Sequence, residues 1–296
     1  MTMNANQYIY QKIRALDQDP FRPDQHFTAP VGWINDPNGL IYFKGWYHLF
    51  CQYNPYGAHW DTMHWYHARS KDLKHWEDLG VALEPDQAYE RKGGVFSGSA
   101  IVKDDRLYLL YTAHHVASDG TIDETQCLAY SDDGLNFQKH PENPVLTAAD
   151  GPAGLAKADF RDPKVFEHGG SYYLVVAGAV NGHGQVLLFK SADLVKWEYV
   201  SAILKDQPYM GRMTECPDYF EIDGQAFLAF STIYDNGHYS TVNIVKGKMN
   251  WESGEMTPLD HQLFDAGPDF YAPQSVTDKD GQRIMIPWLR SGDQAD

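Results

Sequence analysis

The sequence is short of positive charge, poor in cysteine and free of long apolar runs. Lys and Arg total 24 against 40 Asp and Glu, a formal net charge of -16. A polyphosphate or an anionic lipid surface would be repelled, so neither nucleic acid nor a membrane is expected as a partner. No window of about 18 apolar residues occurs, which excludes a spanning helix. The three cysteines, Cys51, Cys127 and Cys216, are far apart and lack Cys-x-x-Cys spacing. They predict neither a disulfide framework nor a zinc site. Met1 to Pro20 has no apolar core of the kind a secretory signal carries. Together with the sparse cysteines, this points to a reducing, cytoplasmic setting.

What is present is aromatic and turn-rich. Aromatic residues make up 14% of the chain, including 8 Trp and 19 Tyr. Such rings favour strands, and a few of them can stack on the apolar faces of small ligands. Residues 1–20 read as a helical segment. Within it, Asn4 to Asp17 is predicted as a short amphipathic helix, with Tyr8, Ile9, Ile13 and Leu16 at helical spacing and Pro20 as its stop. Beyond Pro20 the helical period disappears. Short β-branched and aromatic runs alternate with Gly, Asn and Asp turns, which predicts an all-β domain over residues 21–296.

Self-comparison gives the architecture. An apolar strand, a Gly or Asp turn and a second apolar strand recur, with starts at Ile41, Ile101, Val165, Tyr219 and Val276, 54 to 64 residues apart. A second element follows, Ser70-Lys71-Asp72-Leu73-Lys74-His75-Trp76 and again Ser191-Ala192-Asp193-Leu194-Val195-Lys196-Trp197. Weaker copies begin at Ser131 and Lys246. Each is read as a tight turn between strands, with the Trp opening the outer strand. Repeats of about four strands predict a five-bladed β-propeller. The fifth copy lacks the second element before the chain stops at Asp296. The last blade is therefore expected to be incomplete, and the chain a truncated form of a longer protein.

In a propeller the innermost strand of each blade lines the central channel. Here that strand is expected just before each repeated hairpin. The five segments contain Asn35-Asp36-Pro37, Phe96-Ser97-Gly98, Arg161-Asp162-Pro163, Glu215-Cys216-Pro217 and Tyr271-Ala272-Pro273. Taken alone, the first reads as a turn, Arg161-Asp162 as a buried ion pair and Glu215 as a rim carboxylate. Together, Asp36, Asp162 and Glu215 recur at one repeat phase and can converge on one funnel. Buried carboxylates are costly unless paired or functional. Two carboxylates suffice for glycoside hydrolysis, one attacking the anomeric carbon and one serving as acid and then base.

At these residues the sequence resembles glycoside hydrolase family 32, the family of invertases, β-fructofuranosidases and sucrose-6-phosphate hydrolases. Trp33-Ile34-Asn35-Asp36-Pro37-Asn38-Gly39 is similar to its nucleophile motif, Arg161-Asp162-Pro163 to its Arg-Asp-Pro motif, and Glu215-Cys216 to its Glu-Cys motif. Gln52-Tyr53-Asn54-Pro55, Phe96-Ser97-Gly98-Ser99-Ala100 and Asp269-Phe270-Tyr271-Ala272 extend the resemblance in order, from about Phe27 to Trp288. The resemblance implies Asp36 as nucleophile, Glu215 as acid/base and Asp162 as a stabiliser that binds fructosyl hydroxyls. It implies that Asn35, Gln52, Trp60, Phe96, Ser97, Arg161 and Trp288 bind the sugar. Arg161 is expected to orient Asp162 and keep it ionised, and Glu215 to have a raised pKa. No cofactor and no metal is implied. The family's usual C-terminal β-sandwich is expected to be absent from this chain, and Tyr66 stands before His67 where the family more often has Gly, a change expected at the rim.

His59, His64, His67, His114 and His115 lack metal-site spacing and are read as strand or rim residues. Asp278-Lys279-Asp280-Gly281 is read as a hairpin turn, not a calcium loop. The expected activity is retaining hydrolysis of a terminal β-fructosyl unit from sucrose, sucrose 6-phosphate or short fructo-oligosaccharides. A phosphorylated substrate would look for Lys92, Lys157 or Arg212 at the mouth. Fructosyl transfer and an inactive sugar-binding propeller are the alternatives. The partner is thus a small sugar; the sequence says nothing of oligomeric state.

Overall fold

The computed structural model describes residues 4–16, 22–23, 26–234 and 240–290. The expected helix stop at Pro20 and the chain end at Asp296 lie outside these residues. The helix α1 runs Ala5–Leu16. Asn4 Oδ1 accepts the Gln7 N–H at 2.9 Å while Gln7 Oε1 accepts the Asn4 N–H at 3.3 Å, a reciprocal cap. The helix docks on the first blade. Ile9 packs on Ala29, Val31, Tyr53 and Tyr66, and Asn6 Oδ1 accepts the Val81 N–H at 2.9 Å.

The rest is β-structure. The first sheet holds β1 (Trp33–Phe43), β2 (Trp46–Asn54), β3 (His64–Ser70) and β4 (Trp76–Leu83). The second holds β5 (Lys92–Lys103), β6 (Arg106–Val116), β7 (Ile122–Ser131) and the short β8 (Gln138–Lys139). The third holds β9 (Leu155–His168), β10 (Ser171–Val180), β11 (His183–Ser191) and β12 (Glu198–Leu204). The fourth holds β13 (Met213–Ile222), β14 (Gln225–Ile233), β15 (Thr241–Asn250) and β16 (Glu255–Leu263). A two-stranded sheet, β17 (Phe270–Thr277) and β18 (Arg283–Leu289), completes the described chain. All pairings within these sheets are antiparallel. The first strands β1, β5, β9, β13 and β17 adjoin one another in order, and β17 adjoins β1. The architecture is a β-propeller with four complete blades, not five, plus this hairpin.

One detail differs from expectation. The channel-lining segment and the first hairpin strand of each repeat are one continuous strand, as in β1, so there is no separate inner strand before the hairpin. The Ser-x-Asp turns do sit between third and fourth strands. Ser70 Oγ accepts the N–H of Asp72 and Leu73, and Asp72 Oδ1 accepts those of Lys74 and His75. Ser191 and Asp193 repeat the pattern. Leu73, Gly134 and Leu194 take the left-handed position in the three turns, at φ 63°, 73° and 75°.

The core explains why strands read as near-continuous apolar runs. Each blade is covered on both faces by its neighbours. Along β10, Leu174 and Val176 point into a cluster with Leu110 and Leu128 of the preceding blade, while Val175 points the other way to Phe230 and Val245.

Candidate active site

Every innermost strand is interrupted at the same place. Its register slips against the second strand between Ile34 and Pro37, Phe96 and Gly98, Arg161 and Lys164, Glu215 and Asp218, and Tyr271 and Gln274. These are β-bulges, which re-aim side chains and leave backbone groups out of the ladder. In four of the five strands a proline falls in the interruption: Pro37, Pro163, Pro217 and Pro273. A bulge is one of the few sites within a sheet where the missing proline N–H is tolerated. Asp162, Cys216 and Ala272 are left-handed there, at φ 63°, 47° and 46°.

The bulges stack the channel into levels. Asn35, Phe96, Arg161, Glu215 and Tyr271, each two residues before the Pro or Gly at its strand's bulge, line a cavity of about 530 Å³. The next residues, Asp36, Ser97, Asp162 and Cys216, meet at its floor. Asp36 and Asp162 therefore share one repeat phase, but Glu215 does not. It sits one residue earlier, on the wall beside Arg161 and Tyr271. This corrects the expectation of a single phase, and the cause is the bulge, which lets successive residues face the same cavity.

Asp36 is tightly held. Ser97 Oγ donates to its Oδ2 at 2.6 Å, Gln52 Nε2 to the same oxygen at 3.4 Å, and Asn35 Nδ2 to its Oδ1 at 3.2 Å. Trp33 Nε1 in turn donates to Asn35 Oδ1 at 3.1 Å. Burial pushes the Asp36 carboxyl up to about 6; Glu215 adds to the rise, while the Ser97, Asn35 and Cys216 hydrogen bonds oppose it.

Asp162 Oδ2 accepts the Cys216 N–H at 2.8 Å, and its own N–H donates to Thr112 Oγ1 at 2.9 Å. The Cys216 thiol lies between the two floor acids, 3.6 Å from Asp36 Oδ2 and 3.5 Å from Asp162 Oδ2. Burial pushes Asp162 up to about 8 against the pull of Arg161, with Glu215 and Asp36 adding to the rise. Arg161 therefore does not offset the burial of Asp162. The Arg161 guanidinium turns away from it. Its Nε and Nη2 donate to Glu215 Oε1 at 3.2 and 3.0 Å. Tyr271 OH donates to the other oxygen, Glu215 Oε2, at 2.5 Å.

The aromatic residues frame the opening. Trp60, 52% exposed, stands edge-on to Phe96 at 5.7 Å. Trp288 on β18 meets Trp33 at 5.8 Å and Tyr271 at 6.3 Å. Of the residues expected in the site, Asn35, Asp36, Gln52, Trp60, Phe96, Arg161, Asp162, Glu215 and Trp288 line this cavity. Ser97 is the exception, buried behind Asp36 as its donor. Tyr66 is not at the rim. It is buried against Tyr53 and Phe27 under the helix. His67 is buried and bonded to His48 at 2.9 Å, but His59 and His114, read as bland, line the cavity. Lys92, Lys157 and Arg212 are exposed and outside its wall, with Arg212 4.0 Å from Asp159. Sequence reasoning passed over Tyr271, although it holds the same pre-bulge place as Arg161 and Glu215. It also passed over Glu124 and Asp159, which no motif marks.

A propeller whose bulged inner strands bring three carboxyl groups to one aromatic-rimmed cavity has the makings of a glycoside hydrolase. The comparisons with known proteins agree. The family model for the glycosyl hydrolases family 32 N-terminal domain matches residues 26–296. The chain belongs to that family. It is 41% identical over 287 residues to the sucrose-6-phosphate hydrolase of Zymomonas mobilis, covering 90% of this chain and 54% of the relative. It is 39% identical over 302 residues to the raffinose invertase of Escherichia coli, covering 98% of this chain and 62% of the relative. Among solved structures, the Bombyx mori β-fructofuranosidase superposes with a TM-score of 0.87 at 38% identity, over 98% of this chain and 62% of that one. A mutant of it was solved in complex with sucrose. The chain thus spans little more than half the length of the curated relatives it matches.

Proposed function

We propose that this chain carries the catalytic site of a retaining β-fructofuranosidase. The observation that carries the reading is the convergence of Asp36, Asp162 and Glu215 on one cavity, with Asp36 and Glu215 held in different surroundings. Asp36 attacks the anomeric carbon of a terminal fructosyl unit, and the bond to the leaving oxygen breaks as Glu215 gives that oxygen its proton. The fructosyl–Asp36 ester is then cleaved by water, whose proton returns to Glu215. Asp162 hydrogen-bonds the fructosyl hydroxyls and steadies the charge that develops on the ring. Asn35, Gln52 and Arg161 supply further polar contacts, and Trp60, Phe96 and Trp288 the ring faces. Ser97 acts on Asp36, not on the sugar.

β17 and β18 are read as the inner half of a fifth blade, since β17 closes the circle of inner strands. The three unpaired, buried thiols support a reducing, cytoplasmic setting. The wall charge bears on substrate choice. Asp36, Glu124, Asp159, Asp162 and Glu215 face a single guanidinium, Arg161, which Glu124 and Glu215 already engage. Neutral sucrose and short fructo-oligosaccharides therefore suit the cavity better than sucrose 6-phosphate. Initial rates on sucrose, sucrose 6-phosphate and inulin-type oligosaccharides test this. Sucrose should have the higher kcat/KM of the first two, and Asp36→Ala should abolish all hydrolysis. Normal rates in that variant would remove the mechanism, and a preference for the phosphate ester would remove the charge reading.

A further inference from the structure

The mechanism above uses Arg161 and Glu215 but not the carboxylate behind them. Glu124, on β7, is 1% exposed and has every donor around it engaged. Its Oε2 accepts the Phe160 N–H at 3.0 Å and Arg161 Nη1 at 3.1 Å. Its Oε1 meets His114 Nδ1 at 2.9 Å. A carboxylate only accepts, so that ring nitrogen carries the proton. Burial alone would push the Glu124 carboxyl up. Arg161, then His114 and the Phe160 N–H, outweigh it and hold the group below the usual range.

The consequence lies in how a guanidinium is built. It is planar, so fixing one nitrogen fixes the direction of the other two. Nη1 is held by Glu124, which leaves the Nε and Nη2 edge facing Glu215 Oε1. The same carboxylate reaches the opposite wall. His114 stacks on Phe96 with ring centres 4.2 Å apart and planes 14° from parallel.

We infer that Glu124 is a positioning residue for acid catalysis: through Arg161 Nη1 it aims Glu215 at the leaving oxygen. The inference rests on the reading of Glu215 as the acid. It predicts a defect that depends on the leaving group. Glucose must be protonated as it departs, whereas p-nitrophenolate leaves unaided. A loosened Glu215 thus harms the first and spares the second.

The test is kcat/KM, which reports steps up to formation of the fructosyl enzyme, for sucrose and for p-nitrophenyl β-D-fructofuranoside. Glu124→Gln keeps the shape and removes the charge that holds Arg161. It should lose roughly 10- to 100-fold on sucrose and less than about 3-fold on the aryl fructoside. Glu124→Asp keeps the buried charge but draws it back, and should show the same split at smaller size. It carries the test if the glutamine variant does not fold. Equal losses on both substrates in a folded Glu124 variant would overturn the inference and reduce Glu124 to a structural residue. Glu215→Gln is the control. A split there with none in Glu124 variants counts against Glu124 alone, while no split in Glu215→Gln removes the acid assignment and this inference with it.

Discussion

The Asp36 carboxyl shares a buried floor with Asp162, with Glu215 on the wall, and its pKa is pushed up to about 6 by burial. That value sets opposite demands on chemistry and stability. As a nucleophile Asp36 works only when ionised, so kcat/KM for sucrose should fall as pH drops through about 6. For stability the sign runs the other way. The native state binds this proton more tightly than the unfolded chain does, so stability falls as pH rises from about 4 to about 6. Asp36→Asn removes the penalty. It should be inactive, yet more stable at pH 7 by on the order of 2–3 kcal/mol, with the gain vanishing below about pH 4. Urea unfolding at the two pH values reads the difference. No gain at pH 7 would mean that the floor solvates the charge better than its burial suggests. The residue types of this site were legible in the chain, because acids within two residues of a proline at a repeated place are conspicuous. The partners were not. Arg161 stands next to Asp162 in sequence but bonds to Glu215, 54 residues away, a choice that depends on side-chain direction at a bulge.

Bulges govern the elements. The repeat was visible as paired apolar strands, and the Ser-x-Asp turns as hydrogen-bonding residues at fixed offsets. What periodicity could not reveal is that one long strand carries both the cavity residues and the hairpin. A slip in register breaks the period of two, so the polar half of β1 or β13 read as a strand of its own and not as the start of the hairpin's first strand. The repeated Pro after the key residue was the available signal. Blade two departs from it by using Gly98 in place of proline. A Cβ at Gly98 would come within 2.0 Å of the Leu110 carbonyl oxygen, a backbone atom that cannot swing aside. Gly98→Ala should therefore destabilise by about 3 kcal/mol or more and disturb Ser97, the donor to Asp36. Differential scanning calorimetry with sucrose kinetics checks both. A Tm within about a degree of the parent's would show that the strand yields more easily than this packing implies.

Across the molecule, a third level lies below the two that form the cavity. Asn38, Ser99, Lys164, Asp218 and Gln274 follow the bulges and tie neighbouring inner strands together. Asn38 Oδ1 accepts the Gly98 N–H at 3.0 Å, and Ser99 Oγ donates to the Pro163 carbonyl at 2.7 Å. Lys164 Nζ is 3.2 Å from Asp218 Oδ1, Asp218 Oδ2 accepts the Ser275 N–H at 2.6 Å, and Gln274 Nε2 returns to the Gly98 carbonyl at 2.6 Å. This buried polar layer links all five inner strands, the hairpin β17–β18 included, and gives the cavity a fixed floor. Among the described residues no helix is long and apolar enough to cross a membrane.

Everything proposed for this floor depends on Asp36 forming a bond to the sugar. Acid-quenching the Glu215→Gln variant during turnover of p-nitrophenyl β-D-fructofuranoside, then mapping peptides by mass spectrometry, tests that directly. Formation of the ester needs no acid with this leaving group, and its hydrolysis is slowed without the base, so the intermediate should accumulate. One fructosyl unit on Asp36, within the peptide that holds Trp33 to Asn38, is the predicted result. A fructosyl unit on Asp162, or turnover with no covalent adduct on any carboxylate, would contradict it.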